Sequence, residues 1–321
     1  MNGQAGMGGK NGEETVRASE ATVQKSFAPR ERPGTLYLVA TPIGNLEDMT
    51  FRAIRTLKEV QLIAAEDTRQ TRKLLTHFGV QNRLVSYHEH NREASGPELI
   101  RMLLEGQHVA LVSDAGMPAI SDPGADLVRE ASEKGIPVVS IPGANAALSA
   151  LIVSGLPTDR FLFAGFPPRD RKGVHRLLDS LDGESGTLIL YESPHRLKKT
   201  VAAIGERWAG RRMAIVRELT KKHEEIVRGT AEACLAHLEL HDPLGECCIL
   251  IEGTRSGKER REGAEDGQSG LWWASLTTAQ HVAHYETNGQ TRKEAMKSAA
   301  ADRGKPKREI YRELLDESDN A

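Results

Sequence analysis

The sequence predicts an α/β protein: a doubly wound parallel-sheet domain, a second α/β domain on a mixed sheet, and a small C-terminal helical module. Three observations predict it. Five strand-then-helix units follow one another over residues 34–153, and over 154–253 strands recur with fewer long helices between them. The segment TRSGKERREGAEDGQSG at 254–270, whose only apolar side chain is one Ala, then separates these from a helical pattern over 271–321.

Length and composition bound the rest. A chain of 321 residues can bury a sizeable core. A formal net charge of −2 provides no global field for a polyanion, so a nucleic-acid partner would have to meet a local patch. Cys234, Cys247 and Cys248 form no CxxC pair and suit a reducing compartment. No apolar run reaches the ~18–20 residues of a spanning helix, and the first residues, MNGQAGMGGKNGEETVRASE, lack the apolar stretch of a signal peptide. The expectation is a soluble, cytoplasmic protein without a membrane partner.

Residues 1–33 are poor in apolar side chains and are expected to be a disordered tail. Order is expected from Gly34, where TLYLV at 35–39 is a continuous β-prone run, as in a strand covered on both faces. A helix over 51–60, a strand over 61–65, a helix stopping at Gly79, a strand over 84–87 and a helix closed by Gly106 follow. Residues 109–124, VALVSDAGMPAISDPG, run from a strand through a loop of two Asp, two Pro and two Gly into the next helix. That loop is longer than the usual βα connection of roughly 2–6 residues. A strand over 136–141 and a small-residue helix through Val153 complete the first domain.

In the second domain, strands are expected over 161–166, 188–191, 213–216, 227–229 and 247–251, with a basic helical stretch after Pro167 and Pro168. Further helices are expected over 194–208 and 231–240, and a loop over 220–226. The span 254–270 reads as a flexible linker. Beyond it three short helices are expected, with Thr291 capping the second. Residues 291–312 hold eight Lys or Arg against three Asp or Glu, a local basic patch that suits RNA or a solvated helical face.

Motif exclusions narrow the chemistry. There is no GxGxxG after the first strand, no P-loop, no HExxH, no Cys/His zinc spacing and no GxSxG elbow. His88 and His90 alone do not make a metal site, and none is expected. Four strand-end segments instead are polar, all but the second bearing Gly and Pro: TPIGN at 41–45, EDTR at 66–69, SDAGMP at 113–118 and PGANA at 142–146. In a parallel sheet they lie on one edge, where a small-molecule donor can be held by backbone loops.

The series TPIGNLEDMT, AEDTR, SYHEHN, SDAGMPAISDPG, IPGANAALSAL, FLFAGFPPR, YESPHR and RELTKKHEE closely resembles the small-subunit ribosomal RNA methyltransferase I family, of the tetrapyrrole-methylase superfamily. The resemblance covers residues 34–253, and eight motifs in one order are far more specific than any single one. It implies two α/β/α domains of the class III methyltransferase type with S-adenosylmethionine between them, usually in a homodimer. It also implies 2′-O-methylation of a decoding-centre cytidine in 16S rRNA, within the small ribosomal subunit. Carried over by position, it places Ile43, Asp114, Met117, Asn145, Ala146 and Phe166 at the donor. The first loop, TPIGNLED, departs from the Gly-rich loop of the tetrapyrrole branch, which favours the RNA-modifying branch.

A ribose hydroxyl is a weak nucleophile at neutral pH, so a base or a stabilising cation is expected. Glu66, Asp67, Arg69, His88 and Glu89 are the candidates at the strand ends, with no base assigned among them. Arg69 also suits a phosphate, and Glu66 or Asp67 would equally cap a helix. For holding RNA the candidates are Arg169, Arg171 and Lys172 after the Pro-Pro turn and Arg196 and Lys199 near a helix start. Arg292, Lys293, Lys297, Lys307 and Arg308 in the C-terminal patch complete the set. A methylase of a small tetrapyrrole-like substrate and a non-catalytic RNA-binding assembly factor are the competing readings.

Overall fold

The computed structural model describes residues 23–24, 33–254, 273 and 276–319. The tail expected over 1–33 and the linker expected over 254–270 therefore lie, apart from residues 23, 24, 33 and 254, outside the described residues. The chain divides into two compact units, Met1–Thr254 and Arg255–Ala321. No helix among the described residues is long and apolar enough to cross a membrane.

The first sheet is wholly parallel, in the order β3-β2-β4-β1-β5. Its strands are β1 (Leu36–Val39), β2 (Leu62–Ala65), β3 (Leu84–Ser86), β4 (Val109–Val112) and β5 (Val138–Ile141). Because side chains alternate along a strand, each buried strand feeds two cores. Ile63, Ala65, Ala110 and Val112 pack under Ala53 and Leu57 of α1 (Phe51–Glu59) and Leu75 of α2 (Thr68–His77). Leu62, Ala64, Val109 and Leu111 pack under Leu99 and Leu103 of α3 (Arg92–Leu104) and Leu127 of α4 (Ala125–Glu133). Each such Leu contributes roughly 1.5–3 kcal/mol by leaving water.

The second sheet is mixed, in the order β6-β7-β10-β8-β9. Its strands are β6 (Phe161–Gly165), β7 (Thr187–Glu192), β8 (Arg212–Arg217), β9 (Glu225–Thr230) and β10 (Cys247–Ile251). Only β6 and β7 run parallel as neighbours. On one face lie α6 (Arg171–Ser180), α7 (Pro194–Arg207) and α8 (Ala231–Leu240), closing over Leu188, Leu190, Ile215 and Ile249.

Two expectations need correction. The helix read as the last of the first domain, α5 (Ala146–Ser154), packs on the second sheet, with Ala147, Ala150 and Leu151 against Ile189, Ala214, Val216 and Leu250. Both faces of the first sheet are already covered, and its small residues let α5 lie close to the other. The loop expected over 220–226 ends early, because Glu225 opens β9 opposite Arg217 and is ion-paired with it. A charged residue beginning a strand looks like a loop until its cross-strand partner is known.

All three cysteines are free and buried, and burial pushes the thiols up to about 11 at Cys234 and Cys247 and about 12 at Cys248. The second unit holds α9 (Thr278–Thr287), α10 (Arg292–Asp302) and α11 (Lys307–Asp319) around Val282, Ala295, Met296, Ala299 and Ile310. Thr291 caps α10, and both its backbone N–H and its hydroxyl donate to Glu294.

Candidate functional site

The strands of the first sheet are parallel, so their C-terminal ends share one edge. β1 and β4 are neighbours, yet the helices that follow them, α1 and α4, cover opposite faces. A crevice opens where neighbouring connections diverge in this way.

The loops there are tied to one another. Thr41 N–H donates to Gly116 O (2.8 Å), Gly116 N–H returns to Thr41 O (3.1 Å), and the Thr41 hydroxyl donates to Ser113 O (3.2 Å). Gly116 has φ +77°, and a β-carbon there would sit 3.4 Å from Ile43 and 3.8 Å from Ala144 O. The loops after β1, β4 and β5 therefore meet at a backbone position that favours glycine. Asp114 accepts the Asp67 backbone N–H (3.0 Å), which joins the loop after β2 to them.

The second sheet completes the site. Tyr191 on β7 accepts the Ala147 backbone N–H through its hydroxyl (3.1 Å) and packs edge-on against Phe166, centroid to centroid 5.5 Å. Phe166 is 60% exposed. Gly165, at φ +68°, turns the chain so that a β-carbon there would lie 3.8 Å from Ser121 Oγ. Thus the end of β6 reaches the loop that follows β4.

This loop is strained. Ala119 and Ser121 adopt φ +68° and +62°, and the other non-glycine residues at positive φ among those described are Glu218 and Thr220. Left-handed backbone costs about 1–2 kcal/mol per non-glycine residue, and such strain persists where the surroundings dictate it, often at a site. Both strained loops approach the first loop, since a β-carbon at Gly116 would approach Ile43 and one at Gly44 would clash with Lys221.

The electrostatics are those of crowded carboxylates. Burial, with Glu66 and Asp114 beside it, pushes Asp122 up to about 6. Burial and Asp114 also raise Glu66, against a smaller opposing pull from His88. Asp67 differs: its carboxylate accepts Arg69 N–H (2.8 Å), Nε (3.2 Å) and Nη2 (2.9 Å) and is held down at about 2. Asp67 is thus the N-cap of α2. His88 Nδ1 is buried without a hydrogen-bond partner among the described residues, and Glu89 is exposed. No group of three or more His, Cys, Asp or Glu among the described residues is placed to hold a metal.

The structure thus brings Ile43, Asp114, Glu66 and Asp67 to one edge, with Met117 half-buried on the same loop as Asp114. Phe166 arrives from the second sheet. Asn145 caps α5, its Oδ1 accepting Leu148 N–H (2.9 Å), and Ala146 begins that helix. Two residues stand out that the sequence reading assigned no role. Asp122 was visible as the second Asp of the long loop and Tyr191 as the first residue of YESPHR, but the contact Tyr191 makes depends on α5 meeting β7.

Among the RNA candidates, Arg169, Lys172 and Lys199 are exposed. Arg171 Nη2 bonds both Glu206 oxygens (3.1 Å each). Arg196 is drawn inward, donating to Pro167 O (3.0 Å) and Pro168 O (2.6 Å) and lying 3.3 Å from buried Glu192. Within the second unit Lys293, Lys297, Lys307 and Arg308 are exposed, and Arg292 lies 3.7 Å from Glu286.

A family model described as Tetrapyrrole (Corrin/Porphyrin) Methylases matches residues 35–234. A Halalkalibacterium halodurans protein named Ribosomal RNA small subunit methyltransferase I is 54% identical over 288 residues, 90% of this chain and 97% of that one. Its namesake in Bacillus subtilis is 50% identical, covering 90% and 96%. Among solved structures, diphthine synthase aligns with a TM-score of 0.54 at 16% identity, covering 71% of this chain and 94% of that one. A cobalt precorrin-4 methyltransferase aligns at 0.52 and 17%, covering 70% and 98%. At such identities these two speak for the fold alone.

Proposed function

The chain belongs to the ribosomal RNA small subunit methyltransferase I family within the tetrapyrrole methylases, whose donor is S-adenosylmethionine, and from that premise we propose that it methylates small-subunit 16S rRNA in the cytoplasm, at the ribose 2′-oxygen of a decoding-centre cytidine. The likeness over nearly the whole chain to relatives named for rRNA methylation carries this reading. The residues present suit the donor. Glu66, Asp114 and Asp122 crowd negative charge into a partly buried crevice, which a cationic ligand relieves. Exposed Phe166 offers a flat face beside it.

When bound, S-adenosylmethionine supplies an electrophilic methyl carbon on a positively charged sulfur. Ile43, Asp114, Met117, Asn145, Ala146 and Phe166 are the residues proposed to hold it. The loops tied through Thr41 and Gly116 fix its orientation, which in-line transfer requires. Glu66 and Asp122, with raised proton affinity, suit removal of the 2′-hydroxyl proton, with His88 and Glu89 at the neighbouring strand end. Asp67, held near 2, is a poor base and serves by placing Arg69 for a phosphate. A homodimer acting on the assembled subunit is part of the same proposal.

Mapping ribose methylation in small-subunit RNA from a strain lacking the gene tests the reading. One cytidine of the decoding centre is expected to lose its methyl group and regain it on complementation; an unchanged map would end the proposal.

The Asp122 carboxyl carries a second expectation. Its folded pKa lies above its ordinary value, so the unfolded chain gives up the proton first as pH rises. Stability is unaffected below about 4, falls between about 4 and about 6, and stays reduced above that. Asp122→Asn is therefore expected to raise stability at pH 7 by roughly 1–2 kcal/mol after allowance for solvent screening. Little change is expected at pH 3.5, and donor affinity should weaken. Thermal melts at the two pH values check it; an equal shift at both would refute the linkage.

A further inference from the structure

We propose that the outer face of α2 is a phosphate track along which the substrate RNA backbone leaves the crevice, an inference that rests on the RNA reading above and extends its binding surface. The helix reads TRQTRKLLTH, with four basic or titratable nitrogen side chains and no carboxylate along its length. Its periodicity separates the faces. Thr71 and Leu75 are buried, while Arg69, Arg72, Lys73, Thr76 and His77 lie at the spacings that share one side of a helix. With Thr68 these five line an open groove of about 790 Å³.

The charges on this face are largely uncommitted. Arg69 is paired with Asp67, but Arg72 and Lys73 are exposed and no ion pair engages either among the described residues; Lys73 Nζ donates only to Gln70 Oε1 (3.3 Å). A protein with a net charge of −2 that gathers cations on one helix face, without interspersed acids, presents a surface for an anion. The groove also starts in the right place. Asp67, the N-cap of α2, donates its backbone N–H to Asp114 in the loop after β4, so the track begins beside the proposed donor site. Ten helical residues carry it away over about 15 Å. A repeating polyanion fits such a row better than a single small anion, and RNA supplies one charge per nucleotide.

The test uses the full chain and the double variant Arg72→Gln/Lys73→Gln, both surface positions. The probe is a fluorescently labelled fragment of small-subunit rRNA spanning the decoding centre, titrated by anisotropy across a salt series. Donor affinity is measured in parallel by calorimetry, and methyl incorporation into the same RNA is measured for the wild type. Losing two phosphate contacts on a single strand should lower the slope of log affinity against log salt by about 1.4 and affinity by about tenfold at low salt. Donor affinity should stay unchanged. If the wild type methylates the RNA while the variant keeps its affinity and slope, the track is refuted, the function stands, and the face serves another anion such as an acidic protein surface. If the wild type binds donor but neither binds nor methylates this RNA, small ribosomal subunits from a strain lacking the gene replace it in the same assays, and failure there ends both proposals.

Discussion

Replacing Glu192 by alanine is expected to destabilise the 33–254 unit by about 3–5 kcal/mol, the range seen when one member of a buried charged pair is removed. Glu192 is 2% exposed at the end of β7. It accepts the Ser193 backbone N–H (2.8 Å) and the Thr200 hydroxyl (2.6 Å), and Arg196 lies 3.3 Å away. Arg196 in turn holds the carbonyls of Pro167 and Pro168, the turn that follows Phe166. Truncation therefore leaves a hydroxyl and an amide without their acceptor, removes the carboxylate beside Arg196 and loosens the turn that presents the aromatic face. Glu192→Gln keeps an acceptor and should lose markedly less. Urea denaturation measures both, and a loss below about 1 kcal/mol for the alanine variant would contradict the burial argument.

Asp114→Arg is expected to abolish donor binding with the fold intact. The carboxylate accepts the Asp67 N–H of the neighbouring loop and contributes to the negative charge felt by Glu66 and Asp122. An arginine removes the acceptor and sets a cation against a cationic ligand. A loss of about 3 kcal/mol, roughly 100-fold in affinity, is the expected scale. Asp114 is exposed, so the melting temperature should move little. Calorimetry with S-adenosylmethionine decides the matter: an affinity within threefold of wild type would remove Asp114 from the donor site.

Much of this site was legible before the fold was known. The polar segments after β1, β2, β4 and β5, three of them glycine-bearing, stood out because such residues are unusual where an apolar strand ends. A parallel sheet then gathers them on one edge by geometry alone. The roles inside that edge were less legible. Asp67 and Glu66 are adjacent in sequence, yet one is a cap paired with Arg69 and held near 2, while the other is raised by burial beside Asp114. Burial beside Asp114 acts on Glu66 and the Arg69 side chain acts on Asp67, and adjacency in sequence shows neither. Arg196 read as a surface cation because it follows a helix start; the buried Glu192 and the carbonyls of the Pro-Pro turn draw it inward.

The sequence by itself determined the elements and their order, since alternation in strands, helical spacing and turn residues are local properties of the chain. It also carried the family, through eight short segments in one order. Tertiary structure decided which surfaces those elements share. It set α5 on the second sheet because the first was already covered, joined Asp114 to Asp67, brought Ser121 near Gly165, and made Asp122 a carboxylate shifted by its neighbours. Each depends on long-range contacts and on the water they exclude, and neither can be read from a window of residues.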